Sequence, residues 1–217
     1  MSQPPADLRS TKHKHKEPPT PKGRNTKAQI LEAGRAVLEE RGYFETSVGE
    51  ITRRSGIALG NFYRYFENKD VLCLQLLELL ITEIESATSG SWAKDDTMEN
   101  LRRSSLRYLT AYYKNRKLIA AMLQMAGAVP ACAALWWTLR RRSYDRIKHY
   151  LVSSRIARQI DPDLTATALG SMFEQFAYYW YVEGKKSRKA VPKLEQAADV
   201  LSLIWYRAVY EDHPPPK

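Results

Sequence analysis

From Asn25 onward, apolar residues recur three and four positions apart, and no segment alternates convincingly as a strand would. The first run places Ile30, Gly34, Val37, Leu38 and Arg41 at helical spacing, with Gly42 where a helix C-terminus is expected. Ser47-Val48-Gly49-Glu50 has the Ser-x-x-Glu form of a capping box and opens a second helix that turns Val48 and Ile51 inward. Gly56 ends that helix, a short turn follows, and a third helix is predicted over residues 58–66. Three helices in about forty residues, with a glycine-containing turn between the second and third, form a helix-turn-helix arrangement.

The rest of the chain continues in helices. Asn68-Lys69-Asp70 caps a leucine-rich helix over residues 71 to about 86, and the polar stretch 88–96 reads as a loop. Further helices are predicted over 98–116, 117–126 and 131 to about 158. Asp161-Pro162-Asp163 caps another, reaching 184, and the last covers 190–210. The fold class is therefore all-α, with about nine helices. Three regions follow: a disordered basic arm (1–24), a helix-turn-helix domain (25–72) and a larger helical domain (73–217). Residues 118–139 carry no charge and are long enough to cross a bilayer. Gly127 and Pro130 break them, however, and charged residues flank both ends, so they are expected as buried helices of a soluble bundle.

At about 100° per residue, the third helix divides its side chains between two jobs. Phe62 and Phe66 lie one turn apart and point together into the first two helices, with Leu59 nearer the buried edge. Gly60 and Arg64 fall on the outward face, flanked by Asn61 and Tyr65 on one side and Tyr63 on the other. Such a face suits a DNA major groove. Gly60 lets the backbone approach base edges, Asn61 can pair with adenine and Arg64 with guanine. Tyr63, Tyr65 and Lys69 are placed to grip phosphates, as are Thr46 and Ser47, which join a hydroxyl to a helix N-terminus.

Net charge adds little to this picture. The total is +10, but residues 25–72 carry seven Lys and Arg against seven acids, whereas residues 1–24 carry six against two. The run His13-Lys14-His15-Lys16 reads as a solvated tail, and Lys22 and Arg24 stand ready to add DNA contacts at the start of the first helix.

The text "ILEAGRAVLEERGYFETSVGEITRRSGIALGNFYRYFENKDVL" resembles the DNA-binding domain of TetR-type transcriptional regulators. In that family a first helix ends near "GY". A threonine-capped helix, "AGV", a short helix reading "KGTLYHYF" and "KEEL" then follow. The match covers residues 26–72 in order and spacing. It departs at Leu59, where the family often has lysine, and at Ala58, where a small hydroxyl residue is common. The resemblance implies a homodimer on a palindromic operator, with a larger ligand-sensing helical domain behind the reading head. It also supplies the direction of control, a repressor released by its effector, with an activator as the alternative.

For the larger domain the resemblance places the last two helices at a subunit interface. Leu194, Ala198, Leu201 and Trp205 are the expected contact stripe, while Val200, Leu203 and Ile204 form another. Large soft side chains, Tyr112, Met122, Met125, Trp136, Trp137, Phe173, Phe176 and Tyr179, are candidates to line a mainly apolar effector pocket. Glu174 and Gln175 are candidates to orient a ligand within it. Arg140-Arg141-Arg142 and the basic cluster at 185–189 read as helix surface and exposed loop.

No Ser/His/Asp, metal-ligand or phosphate-loop constellation is present among the four histidines and elsewhere, so a helical-bundle enzyme is disfavoured. No cofactor or metal is expected. Two cysteines without metal-ligand spacing, Cys73 and Cys132, and the lack of an apolar signal segment at the start suit a cytoplasmic protein.

Overall fold

The computed structural model describes residues 18–88, 98–153, 161–184 and 190–210. Among them are nine α-helices, one π-helical turn and no strand. The helices are α1 (Pro21–Glu45), α2 (Val48–Ser55), α3 (Leu59–Phe62), α4 (Lys69–Thr88), α5 (Met98–Lys114), α6 (Arg116–Ala128), α7 (Pro130–Ser153), α8 (Pro162–Ala177) and α9 (Leu194–Tyr210), with the π-turn at Tyr178–Val182. The His/Lys run at 13–16, the loop expected at 88–96 beyond Thr88 and the basic cluster at 185–189 lie outside the described residues.

Helix α1 begins inside the stretch expected to be an unstructured arm. Thr20 Oγ1 accepts from the Gly23 amide at 3.1 Å, and Pro21 follows where its missing N–H costs nothing. Its buried stripe, Ile30, Ala33, Val37 and Leu38, faces α2, α4 and α6. Gly42 interrupts the helix at φ +79°, a conformation that L side chains rarely adopt, and Tyr43–Glu45 follow the kink.

Helix α2 forms half of the expected capping box. Ser47 Oγ accepts from the Glu50 amide at 3.2 Å, whereas the Glu50 carboxylate turns to Arg53 (2.6 Å) and Arg41 (3.2 Å). Two nearby cations take Glu50 away from the Ser47 amide. Gly56, left-handed at φ +69°, ends α2 as expected.

Helix α4 crosses the boundary expected near residue 72. Its Leu72, Leu76, Leu77 and Leu80 join Ile30, Val37, Phe62 and Phe66 in one hydrophobic core with the larger region. The uncharged stretch 118–139 is split at Val129, in extended conformation before Pro130, into the end of α6 and the start of α7. No helix among the described residues is long and apolar enough to cross a membrane.

Helices α7 and α8 pack closely. A Cβ on Gly170 would lie 2.3 Å from the Tyr144 ring, so only glycine admits that tyrosine. Helix α9 packs along α5, and the buried Ser202 hydroxyl donates to Ser105 Oγ at 2.8 Å. This corrects the expected subunit contact. Ala198, Leu201 and Trp205 are buried in the chain's own core, and Leu194 is half-buried against it. The second stripe, Val200, Leu203 and Ile204, is the exposed one, at 52%, 42% and 46%. Periodicity showed two apolar stripes on this helix without showing which one α5 covers.

Candidate nucleic-acid interface and effector cavities

The candidate reading face is built by two anchors. Phe62 (0% exposed) and Phe66 (1%) are locked in the core with ring centroids 5.6 Å apart. Between them the chain is shorter in α-helix than the expected 58–66 segment. After Phe62, i→i+3 bonds run from the Arg64 amide to Asn61 O at 3.3 Å and from the Tyr65 amide to Phe62 O at 2.9 Å, with one i→i+4 bond from the Phe66 amide to Phe62 O at 3.1 Å. Holding both phenylalanines inward four residues apart does not require the α-helix to continue.

Ala58, Leu59, Gly60, Tyr63 and Arg64 are exposed, with Asn61 and Tyr65 half-buried beside them. Leu59 is 52% exposed, which corrects its expected place near the buried edge. A Cβ on Gly60 would meet no atom within 4 Å, so the surface there is open to an approaching partner. Three other head arginines are committed: Arg53 and Arg41 to Glu50, Arg54 to Glu40. The Arg64 side chain is exposed and has no hydrogen bond or ion pair among the described residues, which leaves its guanidinium donors available. Ser47, exposed at the start of α2, accepts one amide and keeps its O–H to donate.

Two expected phosphate contacts are used elsewhere. Thr46 is 2% exposed, and its hydroxyl donates to Gly42 O at 2.6 Å. Lys69 Nζ donates to Tyr43 O and Thr46 O, each at 3.0 Å, and sits 4.3 Å from the Tyr43 ring centroid. Both side chains serve the corner that follows the Gly42 kink, where carbonyls at a helix end need donors. The same corner holds Tyr43 from two more directions. Its hydroxyl donates to Asp70 Oδ1 at 2.8 Å, and its amide donates to Gln124 Oε1 on α6 at 2.9 Å. Burial, with the Asp70 carboxylate next, pushes the Tyr43 hydroxyl far above the usual tyrosine range. Gln124 went unnoticed in the sequence, because a polar residue eighty positions away gives no local signal.

Behind the head lie two adjoining cavities, of about 310 Å³ and about 120 Å³. Of the candidate pocket residues, Tyr112 and Trp136 line the larger and Phe173 the smaller. Met122 and Met125 line neither: both are wholly buried in the core. Phe176 packs against Trp180, also off both walls, while Trp137 and Tyr179 are exposed. Glu174 belongs to both walls. Its partner Arg140, expected as mere helix surface, is half-buried and pairs with it at 2.7 Å. The detectable signal was the i,i+4 spacing of Arg140 and Tyr144, both of which reach Glu174 across the α7–α8 contact. Among the described residues no group of His, Cys, Asp and Glu could hold a metal ion.

Residues 30–76 match the family model for bacterial regulatory proteins of the tetR family. The chain is 33% identical over 201 residues to the HTH-type transcriptional regulator EthR of Mycolicibacterium smegmatis, covering 89% of this chain and 90% of that protein. It is 24% identical over 200 residues to EthR of Mycobacterium tuberculosis, at 89% and 91% coverage. Among solved structures, a TetR-like transcriptional regulator from Rhodococcus sp. RHA1 superposes with a TM-score of 0.67 at 24% identity, over 84% of this chain and 94% of that one. A TetR-family regulator from Syntrophomonas wolfei gives 0.69 at 16% identity, over 88% and 98%. With a helix-turn-helix head and relatives matched over nearly their whole length, the chain belongs to the TetR family of DNA-binding transcriptional regulators and is not an enzyme.

Proposed function

We propose that this regulator is a cytoplasmic homodimeric repressor, whose two heads (residues 25–72) read the half-sites of a palindromic operator. A small, mainly apolar effector bound within residues 73–217 releases it. The carrying observation is the unpaired Arg64 beside open Gly60, held outward by buried Phe62 and Phe66. Gly60, Asn61 and Arg64 read base edges, Leu59 offers its apolar surface to thymine methyls, and Ser47, Tyr63 and Tyr65 grip phosphates.

The apolar surface that the chain leaves uncovered supports the homodimer. Val200, Leu203 and Ile204 of α9 form an exposed apolar stripe suited to covering by a second copy. An effector stabilises whichever head spacing fits its occupied cavity, and a spacing that misses adjacent major grooves lowers DNA affinity. Sedimentation at micromolar concentration tests the assembly. The wild type should run as a dimer, and the Leu203→Glu/Ile204→Glu variant as a folded monomer. A monomeric wild type would sink the two-headed mechanism.

A further inference from the structure

The two cavities share Ile84, Tyr108, Ser143 and Glu174, so they lie on either side of a common waist. The waist is polar and electrically balanced. Arg140 Nε and Nη2, both at 2.7 Å, and the Tyr144 hydroxyl at 3.2 Å all converge on Glu174 Oε2. The second oxygen, Oε1, accepts no bond from the described residues. Arg140 also lies over the Trp137 ring, 5.1 Å from its centroid. The remaining charged wall residues are Arg146 in the smaller cavity and Glu85 in the larger. Together the walls carry two guanidinium groups and two carboxylates, and so favour neither sign. Beyond the waist both chambers are mainly apolar, through Leu101, Ile147 and Phe173 on one side and Leu80, Leu123 and Trp136 on the other, with Arg146 and two serines on the first wall and Glu85 and Gln175 on the second.

An ion lodged at such a waist loses water and finds no net counter-charge unless it pulls the Arg140–Glu174 pair apart. A neutral group that both donates and accepts leaves the pair intact. It can donate to Glu174 Oε1 and accept from the Tyr108 or Ser143 hydroxyl, and burial keeps the Tyr108 hydroxyl protonated. We propose that the effector is an uncharged, two-lobed molecule, whose apolar ends fill the two chambers and whose middle carries an amide-like donor–acceptor group at the Glu174 waist. This rests on the effector-binding role proposed above and narrows it to a chemical class.

The test is calorimetric titration of the full chain with three probes of matched shape. They are N-hexylhexanamide, dihexylamine (a cation at neutral pH) and 2-hexyloctanoate (an anion). The amide is expected to bind about tenfold or more tighter than either ion, the scale of an ion left without its counter-charge. In Glu174→Gln, Arg140 loses its partner and the order should invert in favour of the anion. Should that variant fail to fold, Tyr108→Phe serves instead, with a loss of amide affinity and no change for the cation. An ion that equals or outbinds the amide in the wild type, or an amide that does not bind, overturns the proposal. DNA binding measured alongside separates the two claims. A charged probe that binds more tightly and still releases DNA overturns the class and leaves effector control standing. An amide that binds selectively but leaves DNA affinity unchanged supports the class and removes the release mechanism.

Discussion

Replacing Lys69 by methionine keeps most of the stem and deletes the ammonium that closes the corner between α1 and α2. Two backbone carbonyls, Tyr43 O and Thr46 O, each lose a donor at 3.0 Å, and the Tyr43 ring loses its cation at 4.3 Å. Hydrogen bonds from a charged group are worth about 1.5–3 kcal/mol and an exposed cation–π contact about 0.5–1 kcal/mol. The half-buried ammonium regains hydration in the unfolded chain, so the net loss should be about 2 kcal/mol, or roughly 4–8 °C in melting temperature for a chain of this size. Urea denaturation measures this directly. DNA titrations against salt provide the second readout. A lost phosphate contact would make the slope of log K against log salt shallower by about 0.9, whereas a corner residue leaves it nearly unchanged. Unaltered stability together with a shallower slope would refute the structural role and return Lys69 to the phosphate grips.

Other perturbations probe the same framework. Gly42→Ala places a Cβ 2.6 Å from Gln124 Oε1 at φ +79°, and should cost about 1–2 kcal/mol. Adding Gln124→Ala relieves the clash but not the backbone strain, so denaturation of the double variant should show incomplete recovery. Glu83 is held below the usual carboxylate range, first by its hydrogen bond from Lys114. A depressed carboxyl contributes stability above its unfolded value of about 4.3, which is lost as pH falls through the lower folded value. Glu83→Gln should therefore flatten the acid limb of the stability curve, and an unchanged limb would contradict this. Burial pushes the Cys73 thiol up to about 12 and the Cys132 thiol up to about 11. Neither should react with a disulfide reagent at pH 8 until the protein unfolds, and prompt labelling of the native protein would disprove it.

Local signals were legible in the sequence wherever one residue type has one physical use. Ser47, Gly56 and Asp161 cap helices as their types predict, and Phe62 and Phe66 face inward because their spacing allows nothing else. The exposed side of the reading segment followed from the same spacing, although its α-helical part proved shorter. Contacts between distant segments were hidden. Lys69 and Thr46 look like phosphate ligands until the Gly42 corner brings backbone carbonyls to them. Arg140 looks like surface until α8 delivers Glu174, and α9 offers two apolar stripes until α5 covers one. Periodicity reports that a face is apolar; the partner that covers it comes from tertiary packing.

Operator recognition in the proposed function rests on base reading by Asn61 and Arg64 from a face fixed by Phe62 and Phe66. Its most direct test is quantitative binding to an operator selected from random duplexes, against a scrambled duplex at the same salt. The wild type should discriminate strongly. Asn61→Ala and Arg64→Ala should each lose about 1–3 kcal/mol of that discrimination while non-specific binding changes little. Equal wild-type binding to both duplexes, or full discrimination in both variants, would contradict it.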